Sequence, residues 1–334
     1  MSGLLKPLQT ARTSNRSLQK MNSDIEIGIA KVAILMCTMN GEPYLVEQLK
    51  SFENQTHIGW QLWVSDDGSI DQTTGILETY RSRWVGNRCE ITKGPRQGHA
   101  ANFLSLACNA DISADHYAYS DQDDIWLSNK LALALQWLST VPPDTPALYC
   151  SRTELVDAKG KHIGYSGSFV RTPSFLNALT QNLGGGNTMV FNNAARKLLV
   201  LAGADVNVVA HDWWTYLVVT GCGGQVFFDP TPTLLYRQHD RNLIGANHTF
   251  IAPFISIWRL HEGRFQVWNT QNINALQKLS AFLSPDNRTA LMIFSQARNL
   301  RFFPRLFGLW KAGVYRQTIL GNIGLFVAAA LKRI

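Results

Sequence analysis

The sequence lacks the features that build small secreted domains and metal ribbons. Its 334 residues include only five cysteines, Cys37, Cys89, Cys108, Cys150 and Cys222, odd in number, widely scattered and never spaced as CxxC. A disulfide framework and a zinc ribbon are therefore not expected. Cysteines embedded in apolar runs act as small hydrophobes, which suits a reducing compartment. No apolar run approaches the ~20 residues that a membrane-spanning helix needs. The longest, within "TILGNIGLFVAAALKRI", has about 14. Residues 1–27 are rich in Ser, Asn, Lys and Arg without an apolar core, and read as a disordered lead rather than a signal peptide. Neither GxGxxG nor GxxxxGK[ST] occurs, which disfavours a dinucleotide cradle or a P-loop. Acids are also scarce near the C-terminus. Residues 241–334 hold 12 Lys/Arg against Glu262 and Asp286, a net of +10 in a chain of +7, so the preceding body sums to −3.

The composition is 46% hydrophobic and 16% charged, enough apolar material for a folded core. "KVAILMCTMN" (31–40), "WQLWVSDDGS" (60–69), "CEITKG" and "HYAYSD" are short apolar runs of strand length. Between them lie helical segments: "EPYLVEQLKSFENQT", "DQTTGILETYRSRW" and "NFLSLACNA". "WLSNKLALALQWL" follows the fourth strand. Strands alternating with helices predict βαβ units, an α/β fold and a largely parallel, doubly wound sheet. No internal repeat is visible.

Ligands in such sheets bind where the carboxyl ends of the strands open. Three polar clusters sit there: "CTMNGE" after the first strand, "SDDGS" after the second and "SDQDD" after the fourth. All three should face one crevice. Asp121, Asp123 and Asp124 repel one another unless a cation neutralises them, and Mn²⁺ or Mg²⁺ uses one or two carboxylates plus substrate phosphates. The competing reading is an acidic, solvated turn. Asp66 and Asp67 suit a ribose or a base N–H, but equally a helix-capping turn. Asp212, in "AHDWWTYLVVTGCGG" (210–224), opens a helical run where an acid often only offsets the helix dipole. The three glycines of "LGGGNTMVF" (183–191) permit close backbone approach or simply a tight turn.

"CTMNGEPYLVEQLKSFENQT", "VSDDGSIDQT" and "YSDQDDIWLSNKL", in that order, resemble family 2 glycosyltransferases of the GT-A fold, and "SDQDDIW" resembles the rhamnosyltransferase-type branch. The resemblance spans roughly residues 31–245. It implies that Thr38, Asn40, Glu42, Asp66 and Asp67 bind the nucleotide sugar, and that Asp121 and Asp123 hold the sugar and a Mn²⁺ or Mg²⁺ ion. It implies Asp212 as catalytic base, and places 183–191 beside the acceptor. The "YRQH" segment resembles the family's C-terminal motif, implying His239 for the metal or the diphosphate and Arg237 for a phosphate. Met39 departs from the family's usual Tyr.

The implied activity is metal-dependent, inverting transfer of a sugar, rhamnose from dTDP-L-rhamnose, to a glycan or lipid-linked acceptor in cell-surface polysaccharide synthesis. Two other classes are a sugar nucleotidyltransferase, which wants a basic loop that "CTMNGEPY" lacks, and a basic nucleic-acid-binding protein, which the acidic body disfavours. The expected organisation is a lead (1–27), a GT-A domain (28–245) and a basic helical C-terminal region (246–334). In the last, Arg298, Arg301 and Arg305 should share one helical face among Phe and Trp residues. That mixture suggests peripheral contact with the anionic inner face of the cytoplasmic membrane by a cytoplasmic enzyme, or else helices packed on the core or on another subunit.

Overall fold

The computed structural model describes residues 28–239 and 264–334; the expected lead and the 245/246 boundary lie outside them. Four strands, β1 (Val32–Thr38), β2 (Trp60–Asp66), β3 (Cys89–Lys93) and β4 (His116–Ser120), follow the expected runs. They alternate with α1 (Leu45–Glu53), α2 (Thr73–Arg83) and α3 (His99–Ala107). The order β3-β2-β1-β4 is parallel throughout. β1 is buried on both faces, and its side chains alternate between two cores, Ala33, Leu35 and Cys37 in one and Val32, Ile34 and Met36 in the other. That is why it reads as an unbroken apolar run.

The second half departs from a simple parallel sheet. A two-residue strand β5 (Ile125–Trp126) and α4 (Lys130–Leu138) precede β6 (Ala147–Val156), β7 (His162–Tyr165) and α5 (Phe175–Ala178). A 3₁₀ turn (Gly186–Thr188), β8 (Val190–Asn192), α6 (Asn193–Ala202), α7 (His211–Gly221) and β9 (Gln225–Arg237) follow. β8 joins the sheet antiparallel to β4 and to β6, β9 lies parallel to β6, and β5 pairs antiparallel to β9, so the nine-stranded sheet is mixed. Pro230 and Pro232 cannot donate to the ladder, and the β6–β9 register shifts where Pro232 pairs with Arg152.

α8 (Arg264–Gln277), α9 (Pro285–Ala297), α10 (Phe302–Ala312) and α11 (Ile319–Ala330) complete the described chain. They pack on the domain. Leu276, Leu283, Phe294, Leu309 and Leu325 join the same core as Tyr119 and Trp214. Asn287 Nδ2 donates to Thr220 O at 3.0 Å, and Thr180 Oγ1 to Tyr315 O at 2.7 Å. The expected common face of Arg298, Arg301 and Arg305 is not found. Arg298 follows the end of α9, Arg301 caps α10, and Arg305 is buried against the carbonyls of Leu300 and Ala329. The helix breaks at 298–301, so their spacing is not that of one continuous helix.

Candidate active site

The three strand-end clusters meet. Asp66, at the end of β2, accepts from Thr38 Oγ1 (3.0 Å), Ser69 N (2.9 Å), Gly68 N (3.2 Å) and Ser69 Oγ (2.5 Å). Its two oxygens accept four donors from β1 and the turn, so it organises the turn between β2 and α2. Gly68 makes that turn possible at φ +105°. Asn40 adopts φ 51°, donates its N–H to Ser69 Oγ (2.9 Å) and accepts from Ile70 N (2.9 Å). Glu42 accepts from Gln72 N at 3.1 Å. Asp67 Oδ1 accepts from Arg96 N at 2.6 Å. Gln122, from the third cluster, both donates to Met39 O (3.0 Å) and accepts from Met39 N (2.9 Å). The amide of Gln122 thus fastens the "SDQDD" turn to the first loop.

β5 determines what lies beside the acids. Because Ile125 pairs with Leu235, residues 121–124 run next to the end of β9. His239 Nε2 stands 2.9 Å from Asp123 Oδ2 and stacks on Tyr44 at 4.8 Å. Arg237 is buried: its guanidinium pairs with Glu47 and donates to Asp123 O (3.2 Å) and Ala158 O (3.1 Å). Those contacts make it a brace for the acidic turn. Burial, and next the charge of Asp121, raise the Asp123 carboxyl above its ordinary value.

Asp124 is fully buried behind the turn. Burial, reinforced by Asp123 and Asp121, pushes its carboxyl well up, while Asn187 Nδ2 donates to its Oδ2 at 2.5 Å. Lys130, equally buried, donates to Asn187 O at 2.8 Å and lies 4.6 Å over the Trp126 ring. Burial lowers its amine to about 7, against the opposing pull of Asp124.

Asp212 sits in the first turn of α7, all eleven residues of which are buried. Its carboxylate accepts from Trp213 N (2.6 Å) and Gly186 N (3.0 Å). Burial raises its pKa, and those two amides pull the other way. His99 links the two acid groups. Its Nε2 is 3.4 Å from Asp121 Oδ1, and its ring centroid lies 5.1 Å from that of His211. The surrounding protein disfavours its charge, but Asp121, Asp212 and Asp123 outweigh that and raise its pKa. His211 is kept neutral by burial and by His99, and stacks on Phe103 at 3.8 Å.

Among the described residues no three His, Cys, Asp or Glu side chains cluster as a ready-made metal centre. Asp123 and His239 do meet the geometry for two ligands. A carboxylate oxygen and an imidazole nitrogen within hydrogen-bonding reach of one another are donor types that Mn²⁺ accepts. Asp121 Oδ1 lies 3.4 Å from His99 Nε2.

His99, Gln122, Lys130 and Asn187 were not singled out in the sequence. Lys130 carried a signal, being the one charge in "KLALALQWL". Asn187 lies within "LGGGNTMVF", where the three glycines are the stronger local signal.

Comparison with known proteins identifies the family. The model for "Glycosyl transferase family 2" matches residues 33–199. A "dTDP-rhamnosyl transferase RfbG" of Shigella flexneri is 28% identical over 254 residues, 72% of this chain and 84% of that protein. A "UDP-Glc:alpha-D-GlcNAc-diphosphoundecaprenol beta-1,3-glucosyltransferase WfgD" of Escherichia coli is 33% identical over 108 residues, 32% of this chain and 40% of that one. Among solved structures, a mannosyltransferase from Pyrobaculum calidifontis in complex with GDP-Man and Mn²⁺ aligns over 97% of this chain and 95% of its own, at 16% identity and a TM-score of 0.49. The S. aureus protein TarS aligns over 91% of both chains at 15% identity, with the same TM-score. The family match runs from β1 into α6, across all three adjoining strand-end clusters, and it makes this chain a member of glycosyl transferase family 2, a glycosyltransferase of the GT-A fold.

Proposed function

We propose that the chain is a metal-dependent, inverting rhamnosyltransferase that takes dTDP-L-rhamnose as donor and a glycan or lipid-linked acceptor in cell-surface polysaccharide synthesis. The observation that carries the reading is the pairing of two acid groups around His99: Asp121 and Asp123 on one side, Asp212 on the other. The relative from Shigella flexneri supports the choice of rhamnose.

Thr38, Asn40, Glu42 and Asp66 shape the nucleotide floor, and Asp67 presents its second carboxylate oxygen to the nucleoside. Asp123 and His239 would hold a Mn²⁺ or Mg²⁺ ion, and Asp121 would contribute to that ion or to the donor sugar. When bound, that ion neutralises the donor diphosphate and the leaving charge. The acceptor hydroxyl attacks the anomeric carbon as its proton passes to Asp212. The carbon–oxygen bond to the diphosphate breaks, the nucleoside diphosphate leaves with the bonding electrons, and the configuration inverts. Arg237 acts as a brace and not as a phosphate ligand. The enzyme works in the cytoplasm, in peripheral contact with the inner face of the membrane.

The test is a donor screen with purified protein and Mn²⁺, reading released nucleoside diphosphate. Turnover of dTDP-L-rhamnose above UDP- and GDP-sugars supports the reading. Preference for another donor removes rhamnose, and no turnover of any donor removes the reading. A nucleotidyltransferase would instead make the sugar nucleotide from a nucleoside triphosphate, and a nucleic-acid binder would show salt-sensitive retention of DNA or RNA.

A further inference from the structure

Gly186 and Asn187, neighbours in the 3₁₀ turn, touch both halves of the site. Gly186 N–H donates to Asp212 Oδ2 at 3.0 Å. Asn187 Nδ2 donates to Asp124 Oδ2 at 2.5 Å, and its carbonyl accepts from Lys130 Nζ at 2.8 Å. Asp124 is bonded directly to Asp123. One polar chain therefore runs from the acidic turn through Asp124 and Asn187 to the backbone amide that holds Asp212, with Lys130 clamping its middle. All four of these side chains are buried.

Two physical arguments say that this chain sets geometry. A three-residue 3₁₀ turn is weakly held by its own bonds; here they are Thr188 N to Gly185 O (3.0 Å) and Met189 N to Gly186 O (2.8 Å). Its position therefore depends on what grips it from outside. The turn is also pressed onto α7, since a Cβ on Gly186 would come 2.3 Å from His211 Nε2. A buried Lys and Asp, secondly, give little net stability, because desolvation cancels much of their attraction. Well-packed apolar residues would serve the core at least as well, so these buried polar groups are better explained by what they orient.

We infer that Asn187 and Lys130 are positioning residues, which hold the Gly186 amide so that the Asp212 carboxylate is fixed relative to the donor-binding turn. The inference rests on Asp212 being the base. Around Asp212 stand His99 on α3, Asp121 after β4, Tyr119 on β4, Cys150 on β6 and Tyr236 on β9, with His211 on its own helix. Asn187→Ala and Lys130→Met leave all of these in place. They loosen one of the two amides that favour the ionised carboxylate.

The experiment is the pH dependence of kcat for transfer, with thermal melting alongside, for Asn187→Ala, Lys130→Met and Asp212→Asn. Lys130→Met keeps the volume of the side chain and is read where Asn187→Ala does not fold. The expected result is a kcat lower by about tenfold or more at the optimum, donor KM within about threefold, and an acid limb moved up by about half a pH unit. A purely structural role would lower the melting temperature and leave the limb in place, and that result overturns the inference. So does an unshifted limb with parental kcat. An Asp212→Asn enzyme with near-normal kcat sinks the base assignment itself; an inactive Asp212→Asn beside unshifted Asn187→Ala and Lys130→Met sinks only the positioning role.

Discussion

His239 Nε2 and Asp123 Oδ2 stand 2.9 Å apart although 116 residues separate them, because β5 pairs with the end of β9. The two side chains hydrogen-bond to one another, and their oxygen and nitrogen would suit one divalent ion. EDTA should abolish donor turnover, and Mn²⁺ or Mg²⁺ should restore it. His239→Ala should weaken Mn²⁺ binding by about 10-fold or more while the fold survives, measured by Mn²⁺ titration in the presence of nucleoside diphosphate. Full activity in chelator, or unchanged Mn²⁺ affinity, would remove the pair from that role.

Arg237 and His239 are two residues apart and do different work. The guanidinium is buried and held by Glu47, Asp123 O and Ala158 O. Arg237→Gln should cost ~2 kcal/mol or more of stability, from lost charge-assisted hydrogen bonds, read as a lower midpoint in denaturant unfolding. A phosphate ligand would behave in reverse, raising donor KM with the midpoint unchanged, and that outcome would restore the phosphate role.

How far the sequence revealed this site depended on whether the signal was local. The first four strands and their terminal acids were legible, because a buried parallel strand is an apolar run with a polar end, as in β1. The second half was not. β5 has only two residues, and β9 is interrupted by Pro230 and Pro232, so neither gives a periodic signal. The grip of Lys130 on Asn187 spans 57 positions and has no local pattern at all. Arg298, Arg301 and Arg305 misled for the opposite reason: they are spaced as for one helix face, but the chain turns between α9 and α10.

Asp212 should impose an acid limb on the pH–rate profile. Its pKa is raised, chiefly by burial. The sign follows: below the raised value the base is protonated and kcat falls, so activity is lost at a pH above that of an ordinary carboxylate near 3.8. Asp212→Asn cannot accept the proton, and kcat should fall by about 10²-fold or more with donor affinity little changed. Product NMR should show an inverted anomeric centre. Retention of configuration would exclude the single displacement.

The outer faces of α10 and α11 carry the membrane proposal. Phe303, Phe307 and Trp310 are exposed at i, i+4 and i+7 of α10, and Leu320, Ile323, Val327 and Leu331 form an exposed line along and just past α11. Arg301, Lys311 and Lys332 are exposed around them, and residues 287–334 contain eight Lys/Arg and no acid. A second copy of this face would bring like charge against like, whereas an anionic bilayer answers both the charge and the apolar ridge. Among the described residues no helix is long and apolar enough to cross a membrane, so the contact would be interfacial. Full-length protein should float with vesicles containing phosphatidylglycerol and not with phosphatidylcholine alone, and high salt should release part of it. Replacing Phe303, Phe307 and Trp310 together with serine should weaken partitioning by about 10²-fold or more, since each aromatic contributes on the order of 1–2 kcal/mol when buried in part. Protein that stays free of phosphatidylglycerol vesicles at low salt would refute the membrane contact. A concentration-dependent dimer that the triple variant abolishes would assign the face to a second copy instead.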